Sequence, residues 1–183
     1  MLSSDFLAHF KRATETKWRD QQINPTLYGF QFQQGTRWNP GLPDAEIADY
    51  EDILGVRFPD DFRSFLREMN GTDIPTLNIY GYNGEPVRQL VGVYAYPRDI
   101  ELVKRRMEEV SEWRPELAAT MAEQGFDLAA EADLAPIYIH RFVVCTSNLS
   151  SSSVLSINDG SDAIVYGNSL KEYLENEFLM DSR

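Results

Sequence analysis

The sequence predicts an α+β fold, a mostly antiparallel sheet with helices packed on one side. Two observations lead to this class. Segments with helical spacing of apolar residues alternate with short β-branched and aromatic runs. Two of the connections between these runs, Asn83-Gly84 and Asn158–Ser161, contain the residues that β-hairpin turns favour. Strands joined by hairpins pair in antiparallel fashion, and the helices then segregate to one side of the sheet.

The size and composition agree with a folded globular protein. The chain has 183 residues, of which 43% are hydrophobic and 25% are charged. A chain of this length buries enough apolar surface to fold without disulfides. We expect an N-terminal extension, a helix and loop over residues 1–35, followed by the main domain over residues 36–183.

Helices are predicted where apolar residues recur at intervals of three and four positions. The predicted helices are about Ser4 to Arg19, a segment after Pro43, a segment after Pro59, about Arg98 to Trp113, Glu116 to Gln124, and a last helix capped by Ser169. In the first helix, Phe6, Phe10 and Ala13 share one face. In the third, Asp60 or Asp61 is expected to accept hydrogen bonds from free N–H groups at the start, and Asn70-Gly71 to supply the left-handed residue that ends the helix.

Strands are predicted in β-branched and aromatic runs between these helices. They are Leu77–Tyr82, Val87–Tyr94, Ile137–Cys145, Val154–Ile157 and Ala163–Tyr166. The segment from Asn24 to Pro40 is rich in Gln, Asn, Pro and Gly, and is predicted to be a loop.

The order of motifs in the first half is distinctive. It comprises Gly41-Leu42-Pro43-Asp44, Tyr50-Glu51, Leu54-Gly55-Val56, Phe58-Pro59-Asp60-Asp61-Phe62-Arg63-Ser64-Phe65-Leu66 and Asn70-Gly71. This string resembles the signature of the SUKH superfamily. Later segments around Pro136, His140-Arg141 and Leu170 to Phe178 are similar to the strands and closing helix of one bacterial branch. The resemblance covers about residues 36–180.

The SUKH superfamily includes fungal cell-wall assembly regulators and many bacterial toxin-immunity proteins. The resemblance therefore implies action by binding, with no catalysis. The favoured role is bacterial immunity, in which the protein binds and neutralises a cognate toxin domain. The alternative is an intracellular regulatory or scaffolding module without a toxin partner, as in the fungal relatives. An enzyme is the least favoured interpretation.

The charge indicates the kind of partner. The chain has 29 acidic and 17 basic residues, which gives a formal net charge of -12. Such a surface repels phosphate backbones and anionic lipid, so we expect neither nucleic acid nor membrane as partner, but a basic protein such as a nuclease toxin domain. The candidate partner-binding residues are Asp44, Glu46, Asp49, Asp52, Asp60, Trp38 and Tyr82. The competing interpretation is that these carboxylates form a solvated helix face and that the aromatic residues complete the core.

The residue pattern of the sequence gives no support for catalysis or metal binding. His140 and Cys145 are five residues apart on one predicted strand, and an odd offset places them on opposite faces. No metal-ligand spacing and no cofactor motif is present, so we expect no catalytic residues, no metal and no cofactor. The His140-Arg141 pair could orient strands or bind a partner carboxylate.

The cellular location follows from further absences in the sequence. The first six residues lack the basic and apolar regions of a secretory signal. No run reaches the roughly 18 apolar residues of a transmembrane helix. One cysteine, Cys145, fits a reducing compartment. We therefore expect a cytoplasmic protein.

Overall fold

The structure, a computed structural model, describes residues 2–79, 87–88, 92–146 and 152–180. Its α-helices are α1 (Ser4–Arg19), α2 (Asp44–Leu54), α3 (Asp60–Glu68), α4 (Ile100–Glu112), α5 (Arg114–Glu123) and α6 (Leu170–Leu174). A π-helical segment, Glu175–Leu179, continues from α6. The strands are β1 (Gly29–Gln31), β2 (Trp38–Pro40), β3 (Met69–Thr72), β4 (Leu77–Ile79), β5 (Val87–Arg88), β6 (Asp133–Tyr138), β7 (Arg141–Cys145), β8 (Val154–Ile157) and β9 (Ala163–Gly167).

The named strands pair in antiparallel fashion and form three sheets. Their orders are β1-β4-β5, β2-β3 and β6-β7-β8-β9. The predicted α+β class is confirmed. The hairpin predicted around Asn83-Gly84 has antiparallel arms, since Leu77 pairs with Arg88; its turn lies outside the described residues.

Both faces of the four-stranded sheet are covered. Val143 and Cys145 face a core shared with α1, α2, α3 and α6, whereas Phe142 and Val144 face a second core shared with α5. We expected helices on one side only. The difference arises because β7 alternates between two apolar faces, and α5 with the segment after it covers the second face.

The strand predicted over Ile137–Cys145 is wrong, because the chain reverses in its middle. Strands β6 and β7 are the two arms of a hairpin, and Tyr138 pairs with Arg141 across the turn. Ile139 lies in the turn with φ of 49°. A positive φ is rare for a β-branched residue, so the residue type gives no warning of this turn.

The loop predicted from Asn24 to Pro40 contains two short strands. Strand β2 pairs with β3, which directly follows α3, so that Trp38 lies opposite Thr72. Gly71 has the expected positive φ of 68°. It lies inside β3, however, and α3 ends at Glu68 with an extended Met69 as its C-cap. A Cβ on Gly71 would lie 2.6 Å from the carbonyl oxygen of Val93, so the site also requires glycine for space.

The N-terminal helix packs on the core. Its bounds agree with the prediction, but its buried residues are Leu7, Phe10, Thr14 and Trp18. The buried face is thus rotated from the expected face of Phe6, Phe10 and Ala13. Of these three residues, only Phe10 is fully buried. The cause is the aromatic partner of the helix: Trp18 stacks on Phe32 at 4.3 Å between ring centroids.

Candidate protein-binding surface

Helix α2 exposes a row of carboxylates. Pro43 precedes its first residue and Gly55, with φ of 69°, ends it. Ile47 and Tyr50 are buried, which fixes the rotation of the helix. The acids on the opposite side are exposed, and we call them the acidic surface: Asp44, Glu46, Asp49 and Asp52.

The two ends of the acidic surface are paired with arginines. The Nε of Arg67 donates to Oδ1 of Asp44 at 2.6 Å. At the other end, Nη2 of Arg57 lies 3.1 Å from Oδ1 of Asp52. Within the part of the chain that the structure describes, no cation lies in ion-pair range of Glu46 or Asp49. The middle of the surface therefore carries two uncompensated charges.

Glu51 belongs to the same acidic run, but it is not part of this surface. The competing interpretation of the α2 carboxylates is a solvated face, whereas the Glu51 side chain is 1% exposed. Its carboxylate accepts hydrogen bonds from the backbone N–H of Phe58 at 2.7 Å and from Nε of Arg63 at 3.0 Å. The sequence did contain a signal, because Ile47, Tyr50, Glu51 and Leu54 follow the i, i+3, i+4, i+7 spacing of an inner face.

Asp60 and Asp61 occupy the first positions of α3. Asp60 is half-buried, and within the described residues no backbone N–H at the start of α3 donates to either carboxylate, contrary to expectation. Asp61 is buried instead, and its Oδ1 accepts a hydrogen bond from the backbone N–H of Leu2 at 2.7 Å. Asp61 therefore ties the start of the chain to α3.

The two aromatic candidates do not extend the acidic surface. Trp38 is 5% exposed, and its Nε1 donates to Oγ1 of Thr14 at 2.8 Å. Its ring also meets Phe65 edge to face. The expectation that Trp38 could be an exposed anchor is therefore corrected: it is a core residue that joins α1 to α3. Tyr82 lies outside the described residues.

Ile53 is the exposed apolar residue of this region, and the sequence reasoning passed over it. It lies on α2, four residues after Asp49, and its exposed fraction is 47%. Residues four apart on a helix are neighbours on its surface. The acidic surface thus has an apolar contact point beside its uncompensated charges, a combination that interfaces use.

Arg141 makes its contacts within the chain. Its Nη1 donates to Oγ of Ser156 at 2.7 Å, and its Nε donates to Glu177 of the π-helical segment at 3.1 Å. The guanidinium also lies 4.0 Å from the ring centroid of Tyr166. Of the two roles considered for this residue, these contacts support the orientation of strands.

His140 lies in the turn beside Arg141. Burial, and then the positive charges of Arg141 and Arg106, lower the pKa of His140 to about 4. The ring is therefore neutral at physiological pH.

Cys145 lies at the other end of β7 from His140. It is buried, and burial raises the pKa of its thiol to about 12. Cys145 is therefore a core thiol. In the described residues, no group of three or more His, Cys, Asp or Glu side chains is arranged to hold a metal ion.

None of the helices in the described ranges has both the length and the apolar character needed to cross a bilayer.

Comparison with known proteins gives one match. Residues 41–176 match the family model described as SMI1 / KNR4 family (SUKH-1). The matched segment begins just before α2 and therefore includes the whole acidic surface. The searches of curated proteins and of solved structures found no match.

Proposed function

This chain belongs to the SMI1 / KNR4 family (SUKH-1), and we propose that it is a non-catalytic immunity protein, which binds and neutralises a cognate bacterial toxin domain. Family membership fits an immunity or interaction module. The observation that carries the proposal is the acidic surface of α2, where Glu46 and Asp49 have no compensating cation among the described residues.

The charge of this surface defines the partner that it would accept. A basic face, such as the substrate-binding face of a nuclease, would be attracted to the unpaired carboxylates. Steering of this kind raises the association rate and places the two surfaces in register. Ile53, exposed beside Asp49, would then be desolvated at the centre of the contact.

The helix that carries this surface is attached to α3 before any partner arrives. Glu51, on the inner side of α2, binds Arg63 of α3 and the backbone of Phe58 between the two helices. The paired side chains at the ends, Asp44 and Asp52, are restrained by Arg67 and Arg57. A preformed surface loses less conformational entropy on binding, which favours tight association.

The state of Cys145 supports binding over nucleophilic catalysis. Its thiol is buried and its pKa is about 12, so almost none of it is thiolate at neutral pH.

The test is capture of the tagged protein from its native cells, followed by mass spectrometry. We expect one stoichiometric partner that is encoded beside this protein, is lethal when expressed alone and is harmless when this protein is co-expressed. The variant Glu46→Lys with Asp49→Lys should lose both capture and protection. A matched control, Glu108→Lys with Glu112→Lys, changes the same charge on the exposed side of α4 and should retain both. Equal protection by the two variants would overturn the role of α2.

A second candidate, a regulatory or scaffolding module, is favoured by the fungal members of the family. It predicts several substoichiometric partners and no lethal neighbour. The same capture distinguishes the two functions, because only an immunity protein rescues cells from its partner.

A further inference from the structure

A second charged region lies on α1 and the loop before β2, and none of its residues belongs to α2. A cleft of about 320 Å³ is lined by Arg12, Glu15, Thr16, Arg19, Gly35, Thr36 and Arg37. The residues from α1 are spaced i, i+3, i+4 and i+7, so they form one stripe along the helix. Its other wall is the loop that precedes β2. Three guanidinium groups thus border one cleft in a chain with a formal charge of -12.

These arginines differ from most of the others in the described residues. The arginines within ion-pair distance of a carboxylate that is not their chain neighbour include Arg57, Arg63, Arg67, Arg106 and Arg141. By contrast, no carboxylate of the described ranges lies in ion-pair range of Arg12 or Arg37, and Arg19 has only its chain neighbour Asp20 at 3.7 Å. The cleft therefore has guanidinium N–H groups that are available to an anionic ligand.

The loop wall is fixed by backbone hydrogen bonds. The N–H of Gly35 donates to the carbonyl of Trp18 at 2.9 Å, which attaches the loop to the end of α1. The N–H of Arg37 donates to Oδ1 of Asp73 at 2.8 Å, and the N–H of Asp73 donates back to the carbonyl of Arg37 at 3.0 Å. Within the cleft, Glu15 accepts the N–H of Trp38 at 3.1 Å. Hydrogen bonds within the chain therefore hold the backbone that carries these arginines.

We propose that this cleft binds carboxylate side chains of an acidic segment in the protein partner. Planar guanidinium groups pair with carboxylates through two parallel hydrogen bonds. A carboxylate ligand is favoured over phosphate for two reasons. Arg19 lies in the last turn of α1, where the helix dipole disfavours a dianionic phosphate more than a singly charged carboxylate. Glu15 also adds a negative charge to the wall. The inference extends the proposed protein-binding function to a second contact of opposite charge.

The test needs no identified partner, so its failure would leave the α2 proposal standing. The probe is a tetraglutamate peptide with blocked ends, titrated into the ¹⁵N-labelled full chain and followed by NMR. We expect saturable shifts at the amides of Gly35 and Thr36, and none with the tetraglutamine peptide. The variant Arg12→Gln with Arg37→Gln should bind roughly tenfold more weakly or not at all, because two charge-assisted contacts are lost. The control Lys104→Gln with Arg105→Gln removes two charges from α4 and should bind as the wild type does.

Three results would overturn the proposal. The first is the absence of saturable shifts at Gly35 and Thr36. The second is equal binding by the Arg12 and Arg37 variant. The third is saturation of the same amides by inorganic phosphate at lower concentration than by the peptide, which would identify a phosphate site.

Discussion

The buried carboxylate of Glu51 in α2 pairs with the partly exposed guanidinium of Arg63 in α3, and this ion pair joins the two helices. Arg63 donates from Nε to one carboxylate oxygen at 3.0 Å and from Nη2 to the other. Glu51 is 1% exposed and also accepts the backbone N–H of Phe58. An acid of the α2 sequence is therefore used inside the protein to support the exposed acids on the other side of the same helix.

Replacing Glu51 by alanine should lower the free energy of unfolding by about 2 kcal/mol, since the buried N–H of Phe58 loses its acceptor and the partly exposed Arg63 loses its carboxylate partner. Chemical denaturation measures this value. The control is Asp49→Ala on the exposed side of α2, which should change the free energy by less than about 0.5 kcal/mol. Similar effects of the two substitutions would show that the Glu51–Arg63 pair does not hold α2.

Trp38 should behave as a core residue and not as a binding residue. Trp38→Ala removes a buried ring and should cost about 3–5 kcal/mol of unfolding free energy. Trp38→Phe keeps most of the ring contacts but loses the hydrogen bond from Nε1 to Thr14, so its cost should be about 1–2 kcal/mol. A folded Trp38→Phe variant that still loses the captured partner would contradict the core assignment.

His140 should make stability depend on pH. Its folded-state pKa of about 4 lies below the ordinary value of 6.5, so between these values the unfolded chain binds more protons. The contribution of His140 to stability is complete above about pH 6.5 and decreases as the pH falls towards 4. The decrease in unfolding free energy from pH 7 to pH 5 should therefore be smaller in His140→Gln than in the wild type. In an NMR titration, a midpoint of the His140 ring near 6.5 would contradict this prediction.

Cys145 should be unreactive in the folded protein. Because the thiol is buried and its pKa is about 12, a thiol reagent at pH 8 should label it only after unfolding in denaturant. Absorbance with a disulfide reagent measures both states. Stoichiometric labelling of the native protein within minutes would show that the thiol is accessible.

Local signals predicted much of the fold. Ser169 caps α6 by accepting the N–H of Glu172. The hairpin that joins β8 to β9 turns at Asn158–Ser161, as expected. These features depend on residues close together in the chain. The pairing of β2 with β3 joins segments about thirty residues apart. The two strands have only three and four residues, so neither shows a clear alternation of apolar and polar residues. This pairing could not be found from local periodicity.

For the candidate surface, the sequence predicted the exposed acids of α2 but not the burial of Glu51 and Trp38. The acids of α2 were found because their spacing relative to Ile47 and Tyr50 places them outside. The positions of Glu51 and Trp38 depend on residues from other elements, Arg63 and Thr14, that bond their polar atoms. Burial of a polar group is decided by such partners, and a single segment does not reveal them.

The most direct test of the acidic surface is the association rate of the captured partner, measured at low and physiological salt. Glu46→Lys with Asp49→Lys should lower this rate at least about tenfold at low salt, and the difference should narrow as salt increases. The α4 control, Glu108→Lys with Glu112→Lys, should stay within about twofold of the wild type. If the two charge-reversed proteins associate at the same rate, the partner does not bind at α2.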